Sequence, residues 1–315
     1  MTVADITALP VAPSLLGESP LWHLDEQVLY WVDIPGLQLN RYSPATGRHD
    51  GWHFPSEPAC CVPLRGGGLL LAMRDGLWRF DPATGQRHRI AKPPYDPARQ
   101  RFNDGKADAQ GRFWIGTLDD QRLSAAALYR LDGGSLVEVA AGITVSNGLA
   151  FSPDGRTLYW ADTKAHVVWA FDCDPHDGSL SRRRVFQQFS PRADGQPLST
   201  YGGRPDGAAV DAEGAYWVAM FEGQRLLRLA PDGALLAELP LPVRCPTMPC
   251  FGGADLKTLY ITSARDKRPA EELAAQPLAG CVLQLRVDVP GLPAQLANLV
   301  DPADRADRAD RADRA

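Results

Sequence analysis

The sequence predicts an all-β fold, a six-bladed β-propeller, and three observations lead to it. First, short β-rich runs that mostly contain aromatic residues recur along the chain, with starts 40, 43, 46, 57 and 44 residues apart. Second, most runs follow a tight polar turn such as Ser152–Gly155, where Pro, Asp and Gly supply hairpin geometry. Third, no long stretch with helical periodicity competes with these runs. The six runs are Leu29–Val32, Leu69–Ala72, Arg112–Ile115, Leu158–Ala161, Ala215–Val218 and Leu259–Thr262.

Each repeating unit is long enough for about four short strands. Several runs are followed by a second hairpin, as in Leu39–Gly47 and Leu77–Gly85. One such unit cannot bury its apolar face alone, so six units are expected to stack around a central channel. The widest spacing, between the fourth and fifth runs, contains the Pro- and Gly-rich stretch Gln187–Arg204, which we expect to form a loop on the rim or over the site.

The repeats divide the chain into two parts. Residues 1–302 are predicted to form a single propeller domain. Residues 303–315 repeat Ala-Asp-Arg four times, with a final alanine, and offer no apolar face to bury. We therefore expect this low-complexity tail to be mobile.

Composition excludes several classes of protein. With 44% hydrophobic and 23% charged residues, the chain has an ordinary globular composition. Its formal net charge of −5 and the lack of a basic stripe argue against a nucleic-acid partner. No segment has the length and apolarity of a signal peptide or a membrane span, so we expect a cytoplasmic protein without a membrane partner. It is expected to be a monomer or a small homo-oligomer.

The six cysteines do not form a recognisable metal or redox motif. They show no C-x-x-C spacing, and adjacent Cys60 and Cys61 would make a strained bridge. We interpret all six as reduced and mostly buried thiols.

The repeat also indicates which residues meet at the propeller axis. Ligand sites form where the innermost strands converge, so equivalent positions in each unit should share one centre. Counting five residues back from the tight turn of each unit gives Glu18, Cys60, Asn103, Asn147, Asp206 and Met248. Four of these six side chains bear oxygen, which predicts a polar site.

A central metal site follows from the charges. Two carboxylates held about 5 Å apart repel by roughly 3 kcal/mol at an effective dielectric constant near 20. One divalent cation would remove this penalty. Carboxylate and amide oxygens suit Ca²⁺, Mg²⁺ or Mn²⁺, and a carboxylate site also accepts Zn²⁺. With three or four protein ligands, positions stay open for water and substrate.

Several short motifs, taken in order, are highly specific. Between Gly17 and Val287 the chain resembles the regucalcin (senescence marker protein)/gluconolactonase-like lactonases. The motifs that carry the resemblance are Gly17-Glu18-Ser19-Pro20, Arg101-Phe102-Asn103-Asp104-Gly105-Lys106, Ser146-Asn147-Gly148-Leu149, Gly203-Arg204-Pro205-Asp206-Gly207 and Cys250-Phe251-Gly252-Gly253.

The resemblance implies a metal-dependent hydrolase that opens a sugar lactone, such as gluconolactone, to the aldonic acid. It implies that Glu18, Asn147 and Asp206 bind the divalent metal and that Asp206 is also the catalytic base. Arg101 and Asn103 would hold the substrate. Gln121 stands where some family members carry a glutamate that contacts the sugar, so it is a third candidate for substrate binding.

Three other functions stay open at this point. A related propeller could hydrolyse aryl esters or organophosphates at the same metal. The chain could instead be a non-catalytic calcium-binding regulator, or a propeller that binds other proteins.

The repeat makes one further prediction: Asp211 lies in the turn at the far end of the strand that carries Asp206, so asparagine should be tolerated there.

Overall fold

Nearly all the regular structure consists of strands, arranged in six four-stranded antiparallel sheets. The structure is a computed structural model and describes residues 6–132 and 134–299. The predicted end of the domain at residue 302 and the Ala-Asp-Arg tail lie outside the described residues. Each sheet is one blade, and its strands run from the axis outward.

Five blades are each made of four strands that are consecutive in the chain. Listed from the axis outward, they are β2 (Gly17–His23), β3 (Val28–Asp33), β4 (Gln38–Tyr42) and β5 (His49–His53); β6 (Pro58–Pro63), β7 (Leu69–Met73), β8 (Gly76–Phe80) and β9 (Arg87–Ala91); β10 (Gln100–Ala107), β11 (Phe113–Asp119), β12 (Ala126–Asp132) and β13 (Ser135–Ile143); β14 (Ser146–Phe151), β15 (Thr157–Asp162), β16 (Val167–Cys173) and β17 (Leu180–Gln188); and β18 (Arg204–Val210), β19 (Tyr216–Phe221), β20 (Arg225–Leu229) and β21 (Leu235–Pro240).

The sixth blade joins the two ends of the chain. Its inner three strands are β22 (Pro246–Gly252), β23 (Thr258–Ser263) and β24 (Leu283–Arg286), and its outermost strand is β1 (Thr7–Ala8) from the amino-terminal end. Thr7 pairs with Gln284 and Ala8 with Leu283. The ring is thus closed by hydrogen bonds between distant parts of the chain, which the repeat did not predict.

Burial explains why the six aromatic runs mark the blades. Each run falls on the second strand of a blade. These strands pack against neighbouring blades on both faces, so β3, β7 and β11 are buried along their whole length. Outer strands such as β5 and β21 are mostly exposed. The apolar content of the second strand is therefore the strongest local signal of the repeat.

The inner strands form a ring around the axis. Each contacts the inner strand of the next blade, in the order β2, β6, β10, β14, β18 and β22 and back to β2. Each also has one extra residue relative to the second strand, a β-bulge. In β14, for example, Asn147 pairs with Ala161 but Ala150 pairs with Tyr159. A bulge near the start of each inner strand re-aims side chains toward the axis.

Helices contribute little to the fold. Among the described residues, the α-helix is Ala270–Ala275 and a 3₁₀ helix spans Leu198–Thr200. The 3₁₀ helix lies in the predicted loop between the fourth and fifth blades. In residues 6–132 and 134–299, no helix combines the length and apolarity needed to cross a membrane. All six cysteines are free thiols, and five of them are buried.

Candidate functional site

Four inner strands contribute to one cavity of about 150 Å³ at one end of the channel. Its walls include Glu18 from β2, Asn103 from β10, Asn147 from β14 and Asp206 from β18, which we call the polar ring. These are the four oxygen-bearing residues that the repeat places at the axis. All except Glu18 are at most 7% exposed, and Glu18 lies between the buried residues Gly17 and Ser19. The structure therefore brings the predicted metal and base residues together.

A second layer lies two residues earlier in each strand. Leu16, Arg101, Val145 and Arg204 also line the cavity, and we call them the outer ring. In an extended chain, residues two apart share a face, which explains the two layers. Arg101 thus lies where the sequence predicts it. Arg204 escaped the sequence reasoning, although Arg204-Pro205-Asp206 repeats the spacing of Arg101-Phe102-Asn103.

The second and sixth blades contribute no side chain to the cavity wall. Cys60 and Met248 are buried, at 0% and 2% exposure, and neither lines the cavity. Gln121 also lies elsewhere: it is exposed on the turn between β11 and β12, and its backbone N–H donates to the Asp119 carboxylate (2.8 Å). The next residue, Arg122, lines the cavity instead.

A chain of hydrogen bonds fixes the polar ring. Arg101 Nη1 donates to Asn103 Oδ1 (2.7 Å), and Asn103 Nδ2 donates to Asn147 Oδ1 (2.6 Å). Asn147 Nδ2 in turn donates to the Thr163 hydroxyl (2.8 Å). Because Thr163 holds the amide nitrogen of Asn147, the amide oxygen is the atom presented to the other ring residues. This orientation suits a metal ligand.

Two aspartates hold the chain that leads into the ring. Asp162, at the end of β15, accepts the backbone N–H groups of Thr144 (2.9 Å) and Val145 (3.3 Å). Asp33, at the end of β3, does the same for Leu15 (2.8 Å) and Leu16 (3.1 Å). These bonds fix the backbone immediately before Asn147 and Glu18. Sequence reasoning missed both, although each follows a Tyr-Trp pair by two residues.

The carboxyl groups of the site lie close enough together to disfavour one another's ionisation. Burial raises the pKa of Glu18 well above its ordinary value, and the charges of Asp206 and Asp104 raise it further. Burial likewise raises the pKa of Asp206; Arg204 opposes this and Asp104 adds to it. A further positive charge beside Glu18 and Asp206 would lower both pKa values and favour ionisation of the pair.

Asp104 is a third buried carboxyl, which the sequence reasoning assigned no role. Its Oδ2 accepts the backbone N–H of Leu149 (2.7 Å), while its Oδ1 has no hydrogen-bond partner among the described residues. Burial raises its pKa to about 6, against the opposing charge of Lys106. It therefore adds negative potential behind the polar ring.

The donor set of the polar ring fits a hard divalent cation. Glu18 and Asp206 offer carboxylate oxygens, and Asn147 offers an amide oxygen. Within the described residues, no group of three or more His, Cys, Asp or Glu side chains could hold a metal ion. A cation in the polar ring would be held by these two carboxylates and the amide, and water or substrate would fill the remaining positions.

Cations also line the cavity. Arg101, Arg122, Lys164 and Arg204 belong to its wall. Burial, and then the nearby charge of Arg122, lower the pKa of Arg101 to about 10, so its guanidinium is still charged at neutral pH. A cavity with carboxylates at its base and guanidinium groups around them can bind a polar ligand, accept a proton and stabilise a developing oxyanion.

Comparison with known proteins identifies a family. The sequence model of the SMP-30/Gluconolactonase/LRE-like region matches residues 16–265. The 6-deoxy-6-sulfogluconolactonase of Pseudomonas putida is 46% identical over 281 residues, which cover 89% of this chain and 94% of that protein. Regucalcin of Danio rerio is 37% identical over 284 residues, covering 88% and 93%.

A solved structure shares the whole architecture. The calcium-binding protein regucalcin of Agrobacterium tumefaciens superposes with a TM-score of 0.85 and 29% sequence identity, covering 92% of this chain and 96% of that one. The family match spans every residue of the polar and outer rings. This chain belongs to the SMP-30/gluconolactonase/LRE-like family.

Proposed function

We propose that this protein hydrolyses an aldonolactone of the gluconolactone type, with one divalent metal ion held by Glu18, Asn147 and Asp206. Family membership makes the protein a lactonase, a hydrolase of carboxylic esters. One observation carries the metal assignment: two carboxylates and an oriented amide oxygen, from three different blades, line one cavity. Beside them, Arg101 provides donors for a sugar and Asn103 provides its amide oxygen as an acceptor.

The chemistry is the addition of water to the lactone carbonyl. A cation bound there, whether Ca²⁺, Zn²⁺, Mn²⁺ or Mg²⁺, would polarise that carbonyl and acidify a nearby water. Asp206 accepts a proton from the attacking water. The ring C–O bond then breaks, the ring oxygen takes up a proton, and the aldonic acid is released.

Arg101 and Asn103 act on the substrate in this scheme. Their side chains are joined by a hydrogen bond of 2.7 Å, so neither can turn away without the other. Arg101, held in this way, donates to the sugar hydroxyls and opposes the negative charge that develops on the carbonyl oxygen. Asn103, whose amide nitrogen donates to Asn147 and to the Ser146 carbonyl, accepts from a sugar hydroxyl through its amide oxygen. Rigid donors cost little reorganisation during the reaction.

The names of two relatives support the substrate class. One is the sulfogluconolactonase described above, and a second is a pentonolactonase of Haloferax volcanii, 36% identical over 252 residues. Both names denote enzymes that act on sugar lactones. The location in the cytoplasm and the monomeric or small homo-oligomeric state stay predictions, which fractionation and gel filtration can test.

The test is a metal-resolved lactonase assay. Purified protein is stripped with a chelator, confirmed metal-free by elemental analysis, and supplied in turn with each of the four cations. Hydrolysis of a panel of aldonolactones is followed above the spontaneous rate. We expect no enzymatic rate in the stripped protein and recovery with at least one cation. Full activity without metal would refute the metal assignment.

The same preparation separates the competing functions. Hydrolysis of aryl esters or organophosphates, but of no aldonolactone, would favour the alternative hydrolase. Tight Ca²⁺ binding with no turnover of any ester would favour a calcium-binding regulator, the alternative that the calcium-binding relative suggests.

A further inference from the structure

The cavity has more positive than negative side chains, although the protein as a whole is acidic. Four cationic residues and two carboxylates line it, an excess of two positive charges, whereas the formal net charge of the chain is −5. A divalent ion in the polar ring would increase the excess. Such a concentration of charge in a cleft attracts anions.

Three of these cations have no carboxylate partner. Arg101 is only 9% exposed, and no carboxylate of the described chain lies within ion-pair distance of it; its Nη1 donates to the Phe102 carbonyl and to Asn103. Arg122 Nη1 donates to the Asp119 carbonyl (3.1 Å). Lys164 forms no ion pair with any described residue. A buried guanidinium without a counter-ion is costly, and for Arg101 the nearby charge of Glu18 in the polar ring supplies part of the compensation.

Arg204 differs from the other three. Its guanidinium pairs with Glu222 (3.3 Å) and lies over the ring of Phe221 (5.1 Å to the ring centre). It also lowers the pKa of Asp206. Arg204 is therefore bound into the protein, and Arg101 lies near the charge of Glu18. Among the described residues of the cavity wall, the uncompensated cations are Arg122 and Lys164.

The uncompensated cations come from adjacent blades. Arg122 follows β11 on the third blade, with a left-handed backbone (φ 60°), and Lys164 follows β15 on the fourth. Arg122 is close enough to Arg101 to lower its pKa. Both exposed residues stand at the mouth, whereas the polar ring lies deeper. A ligand whose reacting end reaches the polar ring would therefore have its other end near these charges.

We propose that Arg122 and Lys164 form an anion subsite that binds a negatively charged substituent of the lactone, a sulfonate or a phosphate on the carbon farthest from the carbonyl. This proposal rests on the proposed lactonase function. A neutral aldonolactone offers only hydroxyl groups and would leave these two cations without an anionic partner. Guanidinium groups match the paired oxygens of sulfonate and phosphate.

The competing explanation is that the cations bind only the carboxylate of the product. Every aldonolactone yields that carboxylate, so this explanation predicts the same effect of a cation on neutral and charged substrates. An anion subsite predicts a selective effect on the charged ones.

The experiment compares three substrates and five proteins, one of which is a control variant. The substrates are gluconolactone, its 6-phosphate and 6-deoxy-6-sulfogluconolactone. The proteins, loaded with the best activating cation, are the wild type, Arg122→Gln, Lys164→Gln and the double variant. Lys92→Gln, an exposed lysine just beyond β9 on the second blade, is the matched control.

The subsite predicts a kcat/KM at least tenfold higher for one of the charged lactones than for gluconolactone in the wild type. The double variant should lose about 10–100-fold on the charged lactone, the effect of removing hydrogen bonds to a charged group. Gluconolactone should change much less, and Lys92→Gln should resemble the wild type. Preference for the phosphate or the sulfonate identifies the natural anion.

Two results would overturn the subsite: equal losses on all three lactones, or a wild type that prefers gluconolactone.

A binding measurement keeps the test independent of turnover. Calorimetry with 6-phosphogluconate and gluconate should show tighter binding of the phosphate, lost in the double variant. If no lactone is hydrolysed, the proposed function fails, and this calorimetric comparison alone decides on the subsite.

Discussion

Replacing Asp211 by asparagine should destabilise the propeller without disabling the site. Asp211 is 0% exposed, which contradicts the sequence-based expectation of a tolerant turn position. Its Oδ1 accepts two backbone N–H groups, from Glu213 and Ala215, both at 3.0 Å. Its Oδ2 accepts Trp217 Nε1 (2.9 Å) and Arg228 Nε (2.8 Å). The carboxylate thus joins the turn to the second and third strands of the fifth blade.

The loss of stability follows from the hydrogen bonds that an amide cannot accept in place of the carboxylate. Asparagine keeps one oxygen for the two backbone donors, but its NH₂ group would face the donors of Trp217 and Arg228. Removing one partner of a buried ion pair costs about 3–5 kcal/mol. Arg228 keeps its contact with Glu213 (2.6 Å), which favours the lower part of that range. With an unfolding entropy of about 2.1 cal/mol/K per residue, the melting temperature of this chain of 315 residues should fall by roughly 5–8 °C.

Thermal unfolding followed by circular dichroism measures this directly. Asp232→Asn is the matched control, because Asp232 is an exposed turn aspartate of the same blade whose carboxylate accepts the N–H of Ala234 (3.0 Å). It should melt within about 1 °C of the wild type, since asparagine also suits turns. Folded Asp211→Asn should hydrolyse lactone within a few-fold of the wild type. Melting of Asp211→Asn within 2 °C of the control would refute this reasoning.

Three other substitutions test the site. Asp206→Asn should lower lactone hydrolysis about 10²–10⁴-fold without lowering the melting temperature of chelator-treated protein, because it removes a charge that opposes Glu18; a stability loss with activity intact would contradict this. Thr163→Val frees the amide of Asn147 and should weaken metal binding about 10–100-fold by calorimetry, while Thr163→Ser should not; equal affinities would exclude the role. Because burial raises the pKa of Asp104 from 3.8 to about 6, the folded state holds that proton more tightly than the unfolded chain, and stability falls as pH rises from about 4 to 6. Metal-free Asp104→Asn should then exceed the wild type by up to about 3 kcal/mol above pH 6 and match it below pH 4; a pH-independent difference in urea unfolding would contradict this.

The number of blades could be predicted from sequence because its signals are local. A turn and the buried strand after it lie within about ten residues, and each of the six predicted runs falls on a second strand. The closure of the sixth blade has no local signal. Thr7 and Ala8 pair with residues near the other end of the chain, and two residues are too few to show a period. Only the three-dimensional ring makes that pairing available.

The supporting residues of the site were missed for a different reason. Asp33 and Asp162 bind backbone groups in the chain before the inner strand of the same blade, and Asp211 binds side chains on the next two strands. In sequence each resembles an ordinary turn residue. A comparison of the repeats with one another could have found Asp211. Asp108 and Asp211 both precede a tryptophan by six residues, and both accept its Nε1–H.

Counting five residues back from each turn found the residues of the polar ring even though the strand pairing differs by one residue between blades. The β-bulge in each inner strand absorbs that difference. Glu18 and Asn147 pair directly with the second strand, whereas Asn103 and Asp206 each lie one residue beyond a paired residue, inside the bulge. All four nevertheless line the cavity. A regular strand would have turned two of them away, because successive side chains point to opposite faces.

In the turn after β11 an offset of one residue changes which side chain reaches the site. There the family resemblance selected Gln121, but the left-handed backbone of Arg122 brings that residue, and not its neighbour, to the cavity wall. A single residue separates an uncharged amide from a guanidinium at the mouth of the site. The charge of the cavity, and with it the class of lactone that we propose, therefore depends on backbone geometry that sequence spacing does not specify.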